Sequence, residues 1–152
     1  MAAEDKITPF LWFDDNAEEA INFYLGTFKD SRIVSTSRKG GDDGPLFGAT
    51  FELAGRRFMA LNGGPHFKFN EAVSLYIECE DQEEVDTLWA RLCDGGAPGQ
   101  CGWLKDRFGL SWQVVPKALP RLLGEKDPAR AGRVMAAMMK MQKIDIKALE
   151  QA

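Results

Sequence analysis

The sequence has one histidine, three cysteines and no long hydrophobic run. With His66 as the single imidazole, a metal centre built from several histidines is excluded. Cys79, Cys93 and Cys101 are odd in number and lack CxxC spacing, which favours reduced thiols in the cytoplasm. No apolar run approaches the roughly 18 residues of a membrane span. The first ten residues lack the apolar core of a secretory signal, and we therefore expect a cytoplasmic protein.

An excess of positive charge is also missing. The 152 residues carry 19 basic and 23 acidic side chains, a formal charge of −4. A nucleic-acid-binding protein normally shows a basic face, so this class is not expected. Aromatic residues are plentiful, with ten Phe and four Trp. They predict an aromatic core or an aromatic pocket.

The first half of the chain predicts a strand, a helix and three further strands. An apolar run is followed by Asp and Asn capping residues and by a helical repeat of apolar positions. Ala54-Gly55 joins two alternating segments, as in a β-hairpin. The predicted strands are 7–13, 31–38, 47–53 and 57–61, and the predicted helix is 16–28.

The same order then begins again. Strands are predicted at 72–79, 100–105 and 110–115, with a helix at 83–92. Sliding residues 7–25 forward by 65 positions aligns the helix caps and paired glutamates without a gap, so we predict an internal duplication. Further helices are predicted at 117–124, 127–142 and 145–152.

These patterns predict an α+β fold with two tandem βαβββ modules and a C-terminal helical extension. The modules are placed at 1–70 and 71–116, and the extension at 117–152, within one compact domain. The methionine-rich segment 134–141 is interpreted either as packing against this domain or as a subunit interface.

Specific segments strengthen this interpretation. The chain resembles the PhnB-like branch of the vicinal oxygen chelate superfamily, which contains the glyoxalase and bleomycin-resistance proteins. Members of this branch are often labelled 3-demethylubiquinone-9 3-methyltransferase domains. The resemblance extends over nearly the whole chain, including KIDIKAL near its end, and it implies that the open, curved sheets of the two modules surround a cavity. It is carried by ITPFLWFDDNAEEAINFY, FELAGRRFMALNGGPHFKFNEAVSLYIEC and CGWLKDRFGLSWQVVP.

The resemblance also predicts where a metal would bind. Metal-dependent relatives use His, Glu or Gln from the first and last strands of each module. The corresponding positions here lie near Pro9, Ala60, Ser74 and Gln113. Three of these residues cannot ligate a divalent metal well, and Gln113 could contribute one oxygen. We therefore expect no metal ion and no cofactor.

Candidate ligand-binding residues are identified from strand alternation and loop position. Each has a structural alternative: His66 could anchor a loop or act as a general base, and Asn62 could shape a turn or recognise a ligand. The segment 105–107 is interpreted as a solvated turn. The candidates are Asn62, His66, Phe69, Ser74, Tyr76, Trp103 and Gln113.

Three functions remain open. The first is a metal-independent protein that binds an unknown small molecule, with enzyme activity undetermined. The second is a methyltransferase, as the family label suggests, although Asp14-Asp15-Asn16 follows the first strand where a glycine-rich loop would bind S-adenosylmethionine. The third is a non-catalytic dimeric interaction protein. The apolar tail and the resemblance favour a homodimer; neither predicts a nucleic-acid or membrane partner.

Overall fold

The computed structural model describes residues 6–152, which divide between Lys68 and Phe69 into two compact units. The first unit contains one helix and a four-stranded sheet. Its elements are β1 (Phe10–Phe13), α1 (Ala17–Leu25), β2 (Arg32–Arg38), β3 (Leu46–Leu53) and β4 (Arg56–Asn62).

The second unit repeats this arrangement and adds three C-terminal helices. Its elements are β5 (Leu75–Cys79), α2 (Gln82–Cys93), β6 (Ala97–Pro98), β7 (Trp103–Lys105), β8 (Ser111–Pro116), α3 (Ala118–Leu123), α4 (Pro128–Met138) and α5 (Ile146–Glu150). Within residues 6–152, no helix combines the length and apolar character needed to cross a bilayer.

The two sheets share one topology. Their strand orders are β1-β4-β3-β2 and β5-β8-β7-β6, and in each the first and last strands of the module pair in parallel. The α+β class, the tandem modules and the helical extension are therefore confirmed. The two-residue strand β6 was missed because it is short and ends in Pro98, which cannot donate to a sheet ladder.

Each sheet has one face covered by its helix and one open face. In the first unit, α1 packs on β3 and β4. Its buried residues recur at helical spacing, and the strands contribute every second residue to the same core. This core includes Ile21, Tyr24, Phe51, Phe58 and Ala60, all at most 6% exposed.

Strand alternation corrects the alignment of the two modules. An offset of 65 does relate the helix caps Asn16 and Asp81. In the strands, however, Leu11 lies on the buried face with Ala60, whereas Tyr76 lies on the open face with Gln113. With an offset of 66, residues of the buried face in one strand align with residues of the buried face in the other. The offset differs from that of the helices because the turn between strand and helix is one residue longer in the first module. The ungapped alignment was therefore wrong within the first strand.

Asp106 does not lie in a solvated turn. It is 3% exposed, and one carboxylate oxygen accepts hydrogen bonds from the backbone N–H groups of Phe108 and Leu110, at 2.8 and 3.1 Å. The other oxygen accepts from the indole Nε1 of Trp112 at 2.8 Å. The carboxylate therefore closes the β7–β8 turn and fixes a core tryptophan.

The C-terminal helices form a core of their own against the end of β8. The predicted helix 127–142 ends earlier, at Met138, and a turn leads to α5. Asp127 and Asp145 cap α4 and α5 by accepting hydrogen bonds from backbone N–H groups, as the sequence predicted. The core consists of Val115, Leu119, Leu122, Val134, Ile144 and Leu149.

Candidate functional site

The open face of the first sheet contains a groove of about 250 Å³. Strand pairing builds it, because residues that pair across neighbouring strands point to the same face. One row across the sheet runs from Phe10 through Met59 and Thr50 to Ser35. A second row contains Leu61, Gly48 and Ser37. Met59 and Thr50 thus lie near the middle of a continuous surface.

The groove has an apolar side and a hydroxyl-bearing side. Phe10, Met59 and Leu61 form the first, on β1 and β4, while the hydroxyl groups belong to β2 and β3. No charged residue is among those that line it. Phe47 is 43% exposed at the rim, and the Lys39 ammonium lies 5.3 Å from its ring centroid. The residues that line the groove therefore carry no charge, and the Lys39 ammonium lies near the ring of one of them.

Gly48 lines the groove without a side chain, which leaves room above the sheet at this position. An added Cβ would approach the Ala60 carbonyl oxygen at 3.3 Å and the Leu61 Cβ at 3.9 Å. The backbone of Gly48 is not in the left-handed region, so a side chain there meets a close contact without conformational strain. Because Gly48 lines the groove, a side chain that extends beyond this contact would occupy part of the groove.

The loop after β4 carries an aromatic cluster. The indole Nε1 of Trp12 donates to the Gly64 carbonyl oxygen at 2.9 Å. The exposed Phe67 ring meets Trp12 edge-on, with centroids 4.9 Å apart, and the exposed His66 ring lies 6.5 Å from Trp12. A Cβ on Gly63 would fall 2.3 Å from the Trp12 ring, so this residue must be glycine for the loop to close over the indole.

Asn62 connects this loop to the helix. Its side-chain oxygen accepts from the Ala17 backbone N–H at 2.8 Å, and its amide nitrogen donates to the Leu46 carbonyl oxygen at 3.1 Å. The first bond satisfies a backbone donor at the start of α1, where helical partners are lacking. The side chain thus has a structural role, and its contact with a ligand stays a prediction.

Four predicted site residues lie together on the open face of the second sheet. Tyr76 and Trp103 pair with Gln113 from opposite sides, and the Gln113 amide donates to the Ser74 hydroxyl at 2.9 Å. Partial burial raises the pKa of Tyr76, and the neighbouring Glu78 charge raises it further. Phe69 is half-buried in the segment before β5.

The residues present do not form a metal site of the ordinary kind. Within residues 6–152, no three His, Cys, Asp or Glu side chains are grouped to hold an ion. One predicted ligand position was also misplaced: Ala60 is 1% exposed on the helix-covered face, and Met59 occupies the open face. Met59 is a thioether, a weak ligand for Mg²⁺ or Mn²⁺.

The groove itself was not predicted from the sequence. The candidates were drawn from the second module and from the loop at 62–69, whereas its lining lies on β1 to β4. The sequence of β3 did indicate one open face, because Gly48 and Thr50 alternate with the buried Ala49 and Phe51. Which strands would neighbour β3 could not be read from that pattern.

Comparison with known proteins gives the family. A family model described as 3-demethylubiquinone-9 3-methyltransferase matches residues 5–115, so the C-terminal helices lie outside the match. The structure of a PhnB protein from Bacillus cereus is similar, with 41% identity, a TM-score of 0.68, and coverage of 74% of this chain and 99% of that one. No curated protein matched the sequence.

More distant structures share the fold alone. A glyoxalase/bleomycin resistance protein/dioxygenase domain from Frankia has 17% identity and a TM-score of 0.51, covering 75% of this chain and 93% of that one. The fosfomycin resistance protein FosX from Listeria monocytogenes, solved with Mn(II) and sulfate, has 14% identity and a TM-score of 0.50, covering 72% and 90%. From the model match and the 41% identity we conclude that the chain belongs to the 3-demethylubiquinone-9 3-methyltransferase family, with a glyoxalase/bleomycin-resistance fold.

Proposed function

We propose that this protein binds a small neutral organic molecule on the open face of its first sheet, without a metal ion. The observation that carries the proposal is the groove of about 250 Å³ lined by apolar and hydroxyl side chains, with no charged residue in its lining. Pockets for small molecules are commonly apolar, with a few polar groups that fix orientation.

The two sides of the groove define the ligand class. A flat ring can lie against Phe10 and Met59, since both present apolar surface to the groove. Its oxygen or nitrogen atoms would then meet Ser35 and Thr50, whose hydroxyl groups can donate or accept hydrogen bonds. An ionised ligand would lose its hydration with no charged side chain in the lining to compensate, since the Lys39 ammonium lies against the Phe47 ring outside the lining. A neutral ring with polar atoms along one edge fits best.

The second sheet supplies a further candidate surface. The Gln113 amide, the Tyr76 phenol and the Trp103 indole lie in one row, with Tyr76 54% exposed. We propose that these residues and Ser74 also contact small molecules. Removal of the amide by Gln113→Leu tests their contribution separately from that of the groove.

Methyl transfer, which the family description names, has less support from the site. After β1 the chain passes through Asp14-Asp15-Asn16 into α1. A typical site for S-adenosylmethionine instead uses a glycine-rich turn opening onto a helix N-terminus. The sulfonium cation would also find no carboxylate among the groove-lining residues. Tight stoichiometric binding of S-adenosylmethionine in a calorimeter would favour the methyltransferase instead.

The charge preference is tested with benzamide and benzoate, which have nearly the same shape. We expect benzamide to shift the NMR signals of β3 and β4 at millimolar concentration, and benzoate to bind at least about tenfold more weakly, a difference of about 1.4 kcal/mol. A chelator should leave the benzamide affinity unchanged. Equal or tighter binding of benzoate would contradict the proposal.

Two variants locate the site. Gly48→Leu should fill the groove and abolish the benzamide shifts, whereas Thr50→Val keeps the shape and should weaken binding severalfold by removing one hydroxyl. Thr87→Val, an identical substitution at an exposed position of α2, is the matched control. Unchanged binding by folded Gly48→Leu protein would place the ligand elsewhere.

A further inference from the structure

Two sulfur atoms from distant parts of the chain meet in the second unit. The Cys101 Sγ lies 3.9 Å from the Met139 Sδ, across 38 positions of sequence. Cys101 precedes β7, and Met139 directly follows α4. Both sulfur atoms belong to the second unit, whereas the groove belongs to the first, so a role for this sulfur pair does not depend on the proposed function.

The backbone brings these two segments together. The N–H groups of Cys101 and Gly102 donate to the carbonyl oxygens of Met141 and Gln142, each at 2.8 Å. At Gly102 the chains are so close that a Cβ would approach the Val114 carbonyl oxygen at 2.9 Å and Ile144 at 3.2 Å. The segment after α4 is therefore docked against the start of β7, independently of the sulfur contact.

A third sulfur lies on the same side of α4. Met135 precedes Met139 by four residues, which places both side chains on one helix face. They are 45% and 61% exposed, and Cys101, which contacts Met139, is half-buried. Large thioether groups at such exposed positions bury little apolar surface, so core packing does not account for them. They are open to a solute.

We propose that Cys101 and Met139, with Met135 as third ligand, bind one soft monovalent cation such as Cu(I) or Ag(I). Thiolate and thioether sulfurs select such ions over hard cations. With metal–sulfur bonds of about 2.3 Å, the sulfur separation of 3.9 Å corresponds to an angle near 120° at the metal, as in trigonal coordination. Binding transfers the Cys101 thiol proton to solvent, and the thiolate becomes the anionic ligand.

The test is a titration of the full-length reduced protein with Cu(I) held by a colorimetric Cu(I) chelator. We expect the protein to remove one equivalent of Cu(I) from the chelator. Cys101→Ser and Met139→Leu should each weaken binding at least about tenfold, and Met135→Leu should weaken it less. Cys93→Ser, which removes another half-buried thiol, is the control and should bind as the unmodified protein does.

Several outcomes would overturn the site. Binding unaffected by Met139→Leu would indicate an ordinary thiol adduct, and equal losses for Cys93→Ser and Cys101→Ser would indicate nonspecific thiol binding. Failure to compete with the chelator would also refute it. Ag(I) titration followed by native mass spectrometry gives an independent readout, in which one bound ion is expected and none in the Cys101→Ser protein.

Discussion

Replacement of Asp106 by alanine should strongly destabilise the second unit. The carboxylate is almost fully buried and accepts three hydrogen bonds at 2.8–3.1 Å, two from backbone N–H groups and one from the Trp112 indole. Alanine would leave all three donors without this acceptor. An unsatisfied buried donor costs about 1–3 kcal/mol, and partial rearrangement or entry of water would satisfy some of them. We expect a loss of about 3–5 kcal/mol in the free energy of unfolding.

Urea denaturation followed by far-ultraviolet circular dichroism measures this loss. For an m-value of about 2 kcal/mol per molar urea, the midpoint should fall by roughly 2 M. Asp106→Asn should lower the free energy of unfolding by less, about 1–3 kcal/mol, because the remaining side-chain oxygen can still accept hydrogen bonds. A loss remains because the NH₂ group cannot accept the hydrogen bond from the indole.

Asp94→Ala provides a matched control. Asp94 also pairs with the 105–107 turn, through Arg107 at 3.1 Å, but its side chain is 69% exposed. Exposed ion pairs contribute about 0–1 kcal/mol, so this variant should unfold near the original midpoint. A loss below about 1 kcal/mol in Asp106→Ala, or equal losses in both alanine variants, would show that the buried carboxylate does not hold the turn.

Other predictions concern single residues and assembly. Asn62→Ala should lower stability by about 1–2 kcal/mol without weakening benzamide binding, and a selective loss of binding would instead favour ligand recognition. Burial, and secondarily Glu84, raises the pKa of Cys79 from 9.0 to about 12. Folding therefore favours the neutral thiol, and stability should fall as pH rises from about 9 to 12, less steeply in Cys79→Ala. Light scattering should show a homodimer at micromolar concentration, and only monomers would refute that expectation. A chelator of divalent metals should leave the melting temperature unchanged, whereas a fall of many degrees would reveal a structural metal.

Local chemistry allowed much of the fold to be predicted from the sequence. Alternation and helical spacing depend on neighbouring residues, and they located most strands and both module helices. The Ala54-Gly55 hairpin was correctly predicted, since both residues adopt positive φ, 49° and 79°, at the turn. Asp127 and Asp145 cap their helices through hydrogen bonds to residues close in sequence, a signal that a single chain contains.

Contacts between distant residues decided the rest. Residues 105–107 are all charged, and this pattern predicted a solvated turn. The sequence could not show that Asp106 accepts a hydrogen bond from the Trp112 indole. Nor could it show that Phe10, Met59, Thr50 and Ser35 form one row, because strand order and register bring them together. A one-residue difference in the turn before the helix was enough to exchange the faces of a strand. The sequence thus determined which elements form, and tertiary packing determined which side chains share a surface, because sheet pairing joins residues far apart in the chain.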